Sequence, residues 1–424
     1  MKRAVSGLFS TALIVWSLAM ALAVFVVYRR GFFLEMEHPE NSFLPHPVTR
    51  FGDFFGAFDE WNRFGGFGGV GFGVSYFPAM YIPLEAIQMI TMDPWQGVAV
   101  SRWASLLCTG IVLHLALRRL DLDTRAIVGI LLLLSYPYLL ILHTANLDSW
   151  IIPLLLSAAT AAYRGRWGYF GALIGAAAAM KGLPVMFMAV VIVSQPLRVA
   201  ARALLHSALS ALGLTAAALI ALPGGVLDGG ASRISVALQA IRDSQAMYVD
   251  LMVNSAAGIH YGHSFLNSVH AIRGMAFMPS EKFAPAVFVA LSAIGIAAMW
   301  LLRRMQKSLA TYFLVCGAMM CVAPGTSTDY KLMFLAPGIL LIALLDRLPT
   351  RLETWLVLLA VFAMAPKPYL RVGADPWGYA MVYGTTLLLL LMLLLPLFLW
   401  LYTFLRRTRS LMSTWSERLV SKVV

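Results

Sequence analysis

Apolar runs on the scale of a bilayer recur along the whole chain, near residues 8–28, 98–117, 127–142, 149–163, 168–180, 183–195, 203–222, 285–302, 308–323, 332–346, 353–366 and 380–404. Lipid offers no partners to backbone N–H and C=O groups, so such runs cross a membrane as helices whose hydrogen bonds close internally. The pattern predicts an all-α polytopic membrane protein with about twelve transmembrane helices. Only 12% of the residues are charged and 60% are hydrophobic, which excludes an ordinary soluble domain. The first run follows a basic "MKR". Its apolar core of roughly 20 residues exceeds that of a cleaved signal and reads as a retained helix, with "ALA" at 21–23 keeping cleavage open. Cys108, Cys316 and Cys321 fall inside apolar runs without metal-ligand spacing. They are expected to be small buried hydrophobes and neither disulfides nor zinc ligands.

The net charge of +12 is explained by the loops. With the N-terminus in the cytoplasm, the inward connections contain "RRLDLDTR", "YRGRW", "QPLRVAAR", "RRMQK", "DRLPTRLE" and the tail "RRTRS". All are short and basic, as the positive-inside rule requires. The basicity is therefore an orientation signal and an attraction to anionic lipid, and does not indicate nucleic acid. Two outward connections are long, 29–97 and 223–284, and functional surface is expected there. The runs 168–180 and 183–195 are too short to span alone. They predict a re-entrant or thinned hairpin with its broken tip, Lys181 to Pro184, pointing outward. Segment 77–92, "FPAMYIPLEAIQMITM", predicts an interfacial or half-inserted helix.

On this topology the unusual polar residues collect outward. Asp53, Asp59, Glu60 and Arg63 lie among phenylalanines in "TRFGDFFGAFDEWNRFGG". Asp59 and Glu60 could be the wet face of an amphipathic helix, whereas Asp53 has apolar neighbours on both sides. "HTANLDSW" supplies Asn146 and Asp148, the latter at a helix start where an acid is commonly an N-cap or a solvated loop residue. Lys181 sits in a long apolar stretch, where a cation marks a functional site unless it snorkels. "HYGHSFLNSVHAIRG" adds His260, His263, Ser264, Asn267, His270 and Arg273, with no metal-ligand spacing. "PGTSTDYKLMF" adds Asp329, Tyr330 and Lys331.

The order "GDFFGAF", "SYFPAMYIPL", "ANLDSWIIPLLL", "GALIGAAAAMKGLPVMF", "GHSFLNSVHAI", "DYKLMFLAPGILLI" resembles the polytopic glycosyltransferases of the GT-C class. It is most similar to glycosyltransferase family 87, polyprenyl-phosphate-mannose-dependent mannosyltransferases and their relatives. The resemblance covers roughly residues 10–345. It implies a GT-C-type catalytic module over 1–346, with amphipathic helices in its outer loops, followed by C-terminal helices and a basic cytoplasmic tail over 347–424. Its catalytic base falls on Asp53, followed by Phe54. Its later motif positions fall on Tyr76, Pro78, Tyr81, Pro83, Asn146, Lys181, Pro184, Asp329 and Tyr330. Two departures stand out: "GL" separates Lys181 from Pro184, and Ala145-Asn146 stands where relatives often have a glycine.

The implied reaction is inverting transfer of one sugar, mannose or another hexose or pentose, from a polyprenyl-phosphate donor to a lipid-linked or envelope glycan acceptor. A carboxylate walled by aromatics, Asp53, would serve as base, with Asp59, Glu60 or Arg63 as alternative base or acceptor contacts. A cationic cradle from Lys181, Lys331, Arg273 or His263 would hold the leaving phosphate. Tyr76, Tyr81, Asn146, Asp148, Ser264, Asn267, Asp329 and Tyr330 would line the substrate. Aromatics, Pro78 and segment 77–92 would form an apolar groove for the polyprenyl tail. No cofactor or metal is required. The expected location is the plasma (bacterial inner) membrane, with both termini cytoplasmic and the site facing the periplasm or exterior. An O-antigen ligase or polymerase and a secondary transporter are the alternatives.

Overall fold

A computed structural model describes residues 7–18, 21, 54–58, 76–222, 235, 238–239, 242–243, 246, 263–273, 283–325, 329–365 and 376–423. Among these the chain is helical throughout, with no strand. The helices are α1 Gly7–Leu18, α2 Tyr81–Ile90, α3 Pro94–Leu117, α4 Leu122–Leu133, α5 Tyr136–Thr144, α6 Ile151–Tyr163, α7 Trp167–Met180, α8 Met188–Ser194 and α9 Leu197–Ala221. They continue as α10 Phe265–Arg273, α11 Phe283–Arg304, α12 Leu309–Val322, α13 Ala336–Ala343, α14 Arg351–Ala363 and α15 Pro376–Val423. Residues 54–58 add one helical turn.

Among the described residues four helices are long and apolar enough to cross a membrane by themselves: α3, α9, α11 and Tyr383–Arg406 within α15. A fifth results if α4 and α5, bent by 52° at their junction, form one span. The dozen expected crossings are thus matched only in part among the described residues, where proline and 3-10 turns divide several of the other runs. Pro137 and Pro337 stand in the first turns of α5 and α13, and Pro184 opens the 3-10 turn Leu183–Phe187 ahead of α8. Shorter apolar helices result, buried inside the bundle. The break expected within 168–195 is present: α7 ends at Met180, Lys181 and Gly182 are not helical, and the 3-10 turn Leu183–Phe187 leads into α8. Segment 77–92 folds as the 3-10 turn Pro78–Met80 and α2.

The centre is α12, apolar on every side and buried from Ala310 to Val322. Helices α8, α11, α13, α14 and α15 pack around it. Beside them α7 and α9 make the closest helix pair. A Cβ at Gly171 would lie 2.0 Å from the Ala203 carbonyl oxygen, and one at Gly175 would lie 2.1 Å from that of Ser207. Small residues four apart let the two backbones touch, the main source of helix association where the solvent is itself apolar. Both pairings advance in the same chain direction, so α7 and α9 are parallel. Cys316 and Cys321 are buried, but Cys108 is exposed. It lies on the outer face of α3 beside Trp103, Leu107 and Ile111. An apolar run in a membrane protein faces lipid as readily as protein, so apolarity alone misplaced it.

The basic connections gather at one end. One cleft there brings Arg119, Asp121, Tyr163, Arg164 and Asp346 together, and Arg303 donates to the Val193 carbonyl at 2.9 Å. Two acids at this end are structural: Asp121 caps α4 through Thr124 N–H, and Glu353 forms a capping box with Thr350 on α14. Arg347 clamps the Glu353 carboxylate at 2.5 and 2.8 Å. Lys181 lies at the opposite end, one length of α7 away.

Candidate functional site

The site is built where α5, α7 and the turn before α13 end. Helix α5 stops at Ala145, whose backbone is left-handed (φ 52, ψ 38). Asn146 then caps the 3-10 turn Leu147–Trp150, its Oδ1 accepting from the Asp148 N–H at 2.8 Å. Asp148 is thus neither the N-cap nor a solvated loop residue. It is buried, and its carboxylate turns to Lys181. The Lys181 ammonium donates to Oδ1 at 2.8 Å and to Oδ2 at 2.5 Å. Lys181 occupies the C-cap of α7 in extended conformation, which swings its side chain off the helix axis.

Two tyrosine rings flank the ammonium, Tyr76 at 5.6 Å and Tyr330 at 5.2 Å, within cation–π range. Tyr76 is held by its hydroxyl, which donates to Asn146 Oδ1 at 3.3 Å, and by its neighbour Phe77, whose N–H donates to the Met180 carbonyl at 3.3 Å. Tyr330 rests on Tyr136 and Leu140 of α5. Lys331 is only 8% exposed and close enough to feel both the Lys181 ammonium and the Asp148 carboxylate. The Lys181–Asp148 ion pair and the amino group of buried Lys331 thus lie together at an aromatic-walled end of the bundle, where a bound anion would favour the charged form of both lysines.

A second polar cluster lies under α15. Ser264 Oγ donates to Asn267 Oδ1 and lies 3.1 Å from the Gly325 carbonyl. Thr386 Oγ1 donates to the His263 carbonyl at 2.8 Å, and Ser268 Oγ donates to Thr386 Oγ1 at 2.8 Å. His263, Ser264 and Asn267 are buried and serve this junction. Sequence reasoning gave α15 no role and so missed Thr386, although the adjacent pair Thr385-Thr386 interrupts an otherwise apolar run.

Of the other expected residues, Tyr81 is buried in the core at 1% exposure. Pro78 is buried too, so it does not line an open groove. An apolar groove of about 460 Å³ lies on α3, between Trp95, Val98, Trp103, Leu106 and Leu142 with Arg102 at its side. Phe55 meets Trp95 edge-on at 4.8 Å, docking the 54–58 turn next to that groove. Asp53, Asp59, Glu60, Arg63 and His260 lie outside the described residues, and for His270, Arg273 and Asp329 the backbone alone is described. Among the described residues no group of three His, Cys, Asp or Glu could hold a metal ion.

No curated protein and no solved structure is significantly similar to the chain. The sequence model of "Glycosyltransferase family 87" matches residues 64–324, well over half of the chain and including Asn146, Asp148, Lys181 and the 263–267 cluster. The chain belongs to glycosyltransferase family 87 and is a membrane glycosyltransferase acting on a sugar donor and an acceptor.

Proposed function

We propose that this glycosyltransferase takes its sugar from a polyprenyl-phosphate donor, mannose or another hexose or pentose, and passes it to a lipid-linked or envelope glycan hydroxyl on the outer face of the plasma membrane. The observation that carries the reading is the Lys181–Asp148 pair with Lys331 and the rings of Tyr76 and Tyr330. A donor phosphodiester would meet the Lys181 ammonium there beside the Lys331 amino group, which the phosphate charge would help to protonate, and the tyrosine faces suit a sugar ring. The α3 groove beside the 54–58 turn offers the isoprenoid tail an apolar bed open to the bilayer. The basic opposite end fits a cytoplasmic face by the positive-inside rule, which turns the Lys181 end outward.

In this mechanism an acceptor hydroxyl attacks the anomeric carbon as the bond from that carbon to the phosphate oxygen breaks. The hydroxyl proton passes to the Asp53 carboxylate, and polyprenyl phosphate leaves with the bonding electron pair. One displacement inverts the anomeric centre. Lys181 and Lys331 offset the charge gathering on the departing phosphate, and Asp148 positions Lys181. The test is transfer of radiolabelled sugar from polyprenyl-phosphate mannose, and from other polyprenyl-phosphate sugars, into lipid extract. Asp53→Asn should lower the rate by about a hundredfold or more with the protein still folded. Undiminished transfer would move the base to Asp59 or Glu60, and no transfer from any such donor would sink the reading.

A further inference from the structure

The parallel packing of α7 and α9 sets two helix N-termini side by side at the end away from Lys181. Each presents N–H groups without intrahelical partners and the positive pole of a helix dipole. Neither has a side-chain cap or an acid in its first turn. Asp121 and Thr350 supply such caps to α4 and α14 at the same end. In their place stand cations: Arg166 is the N-cap of α7, and Arg198 and Arg202 occupy the first two turns of α9. His206 follows one turn later, with Nδ1 tied to the Arg202 carbonyl at 2.8 Å. Between the helices lies a cavity of about 780 Å³ lined by these four residues with Trp167 and Tyr169, and among the described residues no carboxylate lines it.

Like charges four residues apart, beside two positive dipole ends, repel one another. The arrangement becomes favourable once an anion sits among them. Leu205, Leu209 and Leu212 continue the same face of α9 and are all exposed, so an apolar strip runs from the basic cavity along a membrane-length helix. The geometry points to a binding site for the phosphate of an anionic phospholipid, with the headgroup among Arg166, Arg198 and Arg202 and an acyl chain along the leucines. Trp167 and Tyr169 suit the headgroup level of a bilayer. This site is separated from the Lys181 cluster by the length of α7, about 20 Å, and its assignment does not depend on the proposed transfer reaction.

Native mass spectrometry of the purified full chain, titrated with phosphatidylglycerol or phosphatidylcholine, tests the assignment. Phosphatidylglycerol should bind preferentially, and the double substitution Arg198→Gln/Arg202→Gln should weaken it about thirtyfold. A charge-matched control, Arg118→Gln/Arg351→Gln, changes exposed residues outside the cavity and should leave binding intact. Equal affinity in wild type and the Arg198/Arg202 variant would overturn the site. Equal losses in both double variants would reduce it to general surface attraction. Displacement of the lipid by millimolar inorganic phosphate would overturn the lipid assignment in favour of a small soluble anion.

Discussion

Replacing Asp148 with Asn keeps the size of the side chain and removes one charge from the Lys181 cluster. The structure bounds the cost. An exposed ion pair contributes less than about 1 kcal/mol, whereas stranding one partner of a fully buried pair costs about 3–5 kcal/mol. The Asp148 side chain is 8% exposed and that of Lys181 22%, so the stranded ammonium keeps some water. A loss of about 2 kcal/mol is expected from Asp148→Asn. Lys181→Met strands the more deeply buried partner and should cost about 3 kcal/mol. In the double variant neither member of the Lys181–Asp148 pair is left without the other, so the two losses should fail to add by about 2 kcal/mol. Thermal unfolding of the four proteins in one detergent measures this coupling. Losses that add to within about 0.5 kcal/mol would refute the claim that the pair is a unit. Transfer activity divides the roles further. Asp148→Asn keeps the ammonium and Lys181→Met does not, so the donor KM should rise more in Lys181→Met, and equal effects would count against a phosphate-binding lysine.

Three further substitutions probe the frame. Gly175→Val would push carbon toward the Ser207 carbonyl oxygen, which leaves 2.1 Å for even a Cβ; a loss of about 3 kcal/mol or more is expected, read as a fall in the yield of monodisperse protein, and normal yield would contradict the α7–α9 contact. Ala145→Gly relieves a left-handed alanine (φ 52); relief of about 1–2 kcal/mol less the added chain entropy of glycine should leave the unfolding midpoint unchanged or higher, and a clear decrease would argue against that backbone. Thr386→Val removes the hydroxyl that links Ser268 to the His263 carbonyl; about 1–2 kcal/mol should be lost, with faster amide exchange over 263–268, and unchanged exchange would show the junction is held otherwise.

The helical class was readable because apolar runs and basic loops obey a solvent rule that holds before any packing is known. The break at Lys181 was readable for the same reason, since a cation and a nearby proline cannot both continue a lipid-facing helix. The course of each run was not. A run such as 127–142 carries the same hydropathy whether it stays straight or turns by 52° between α4 and α5, and what bends it is packing plus a proline at the second helix's first turn. Cys108 failed similarly, because an apolar neighbourhood fits a lipid face and a protein interior equally well.

Within the site, sequence located the charges but could not pair them. Lys181 stood out by its cost in an apolar run, yet its carboxylate lies 33 positions earlier and had an adequate local explanation as a helix cap. That explanation fails on one detail of the turn: Asn146 takes the cap, satisfying the Asp148 N–H with its own side chain. The carboxylate is thereby released from local bonding at the point where α7 ends. The left-handed Ala145 just before it bends the chain so that Asn146 can do this. The Ala145–Asn146 pair is therefore part of how this chain delivers Asp148 to Lys181. Backbone geometry that glycine would adopt freely is held here by the surrounding packing, in keeping with the concentration of strained conformations at functional sites.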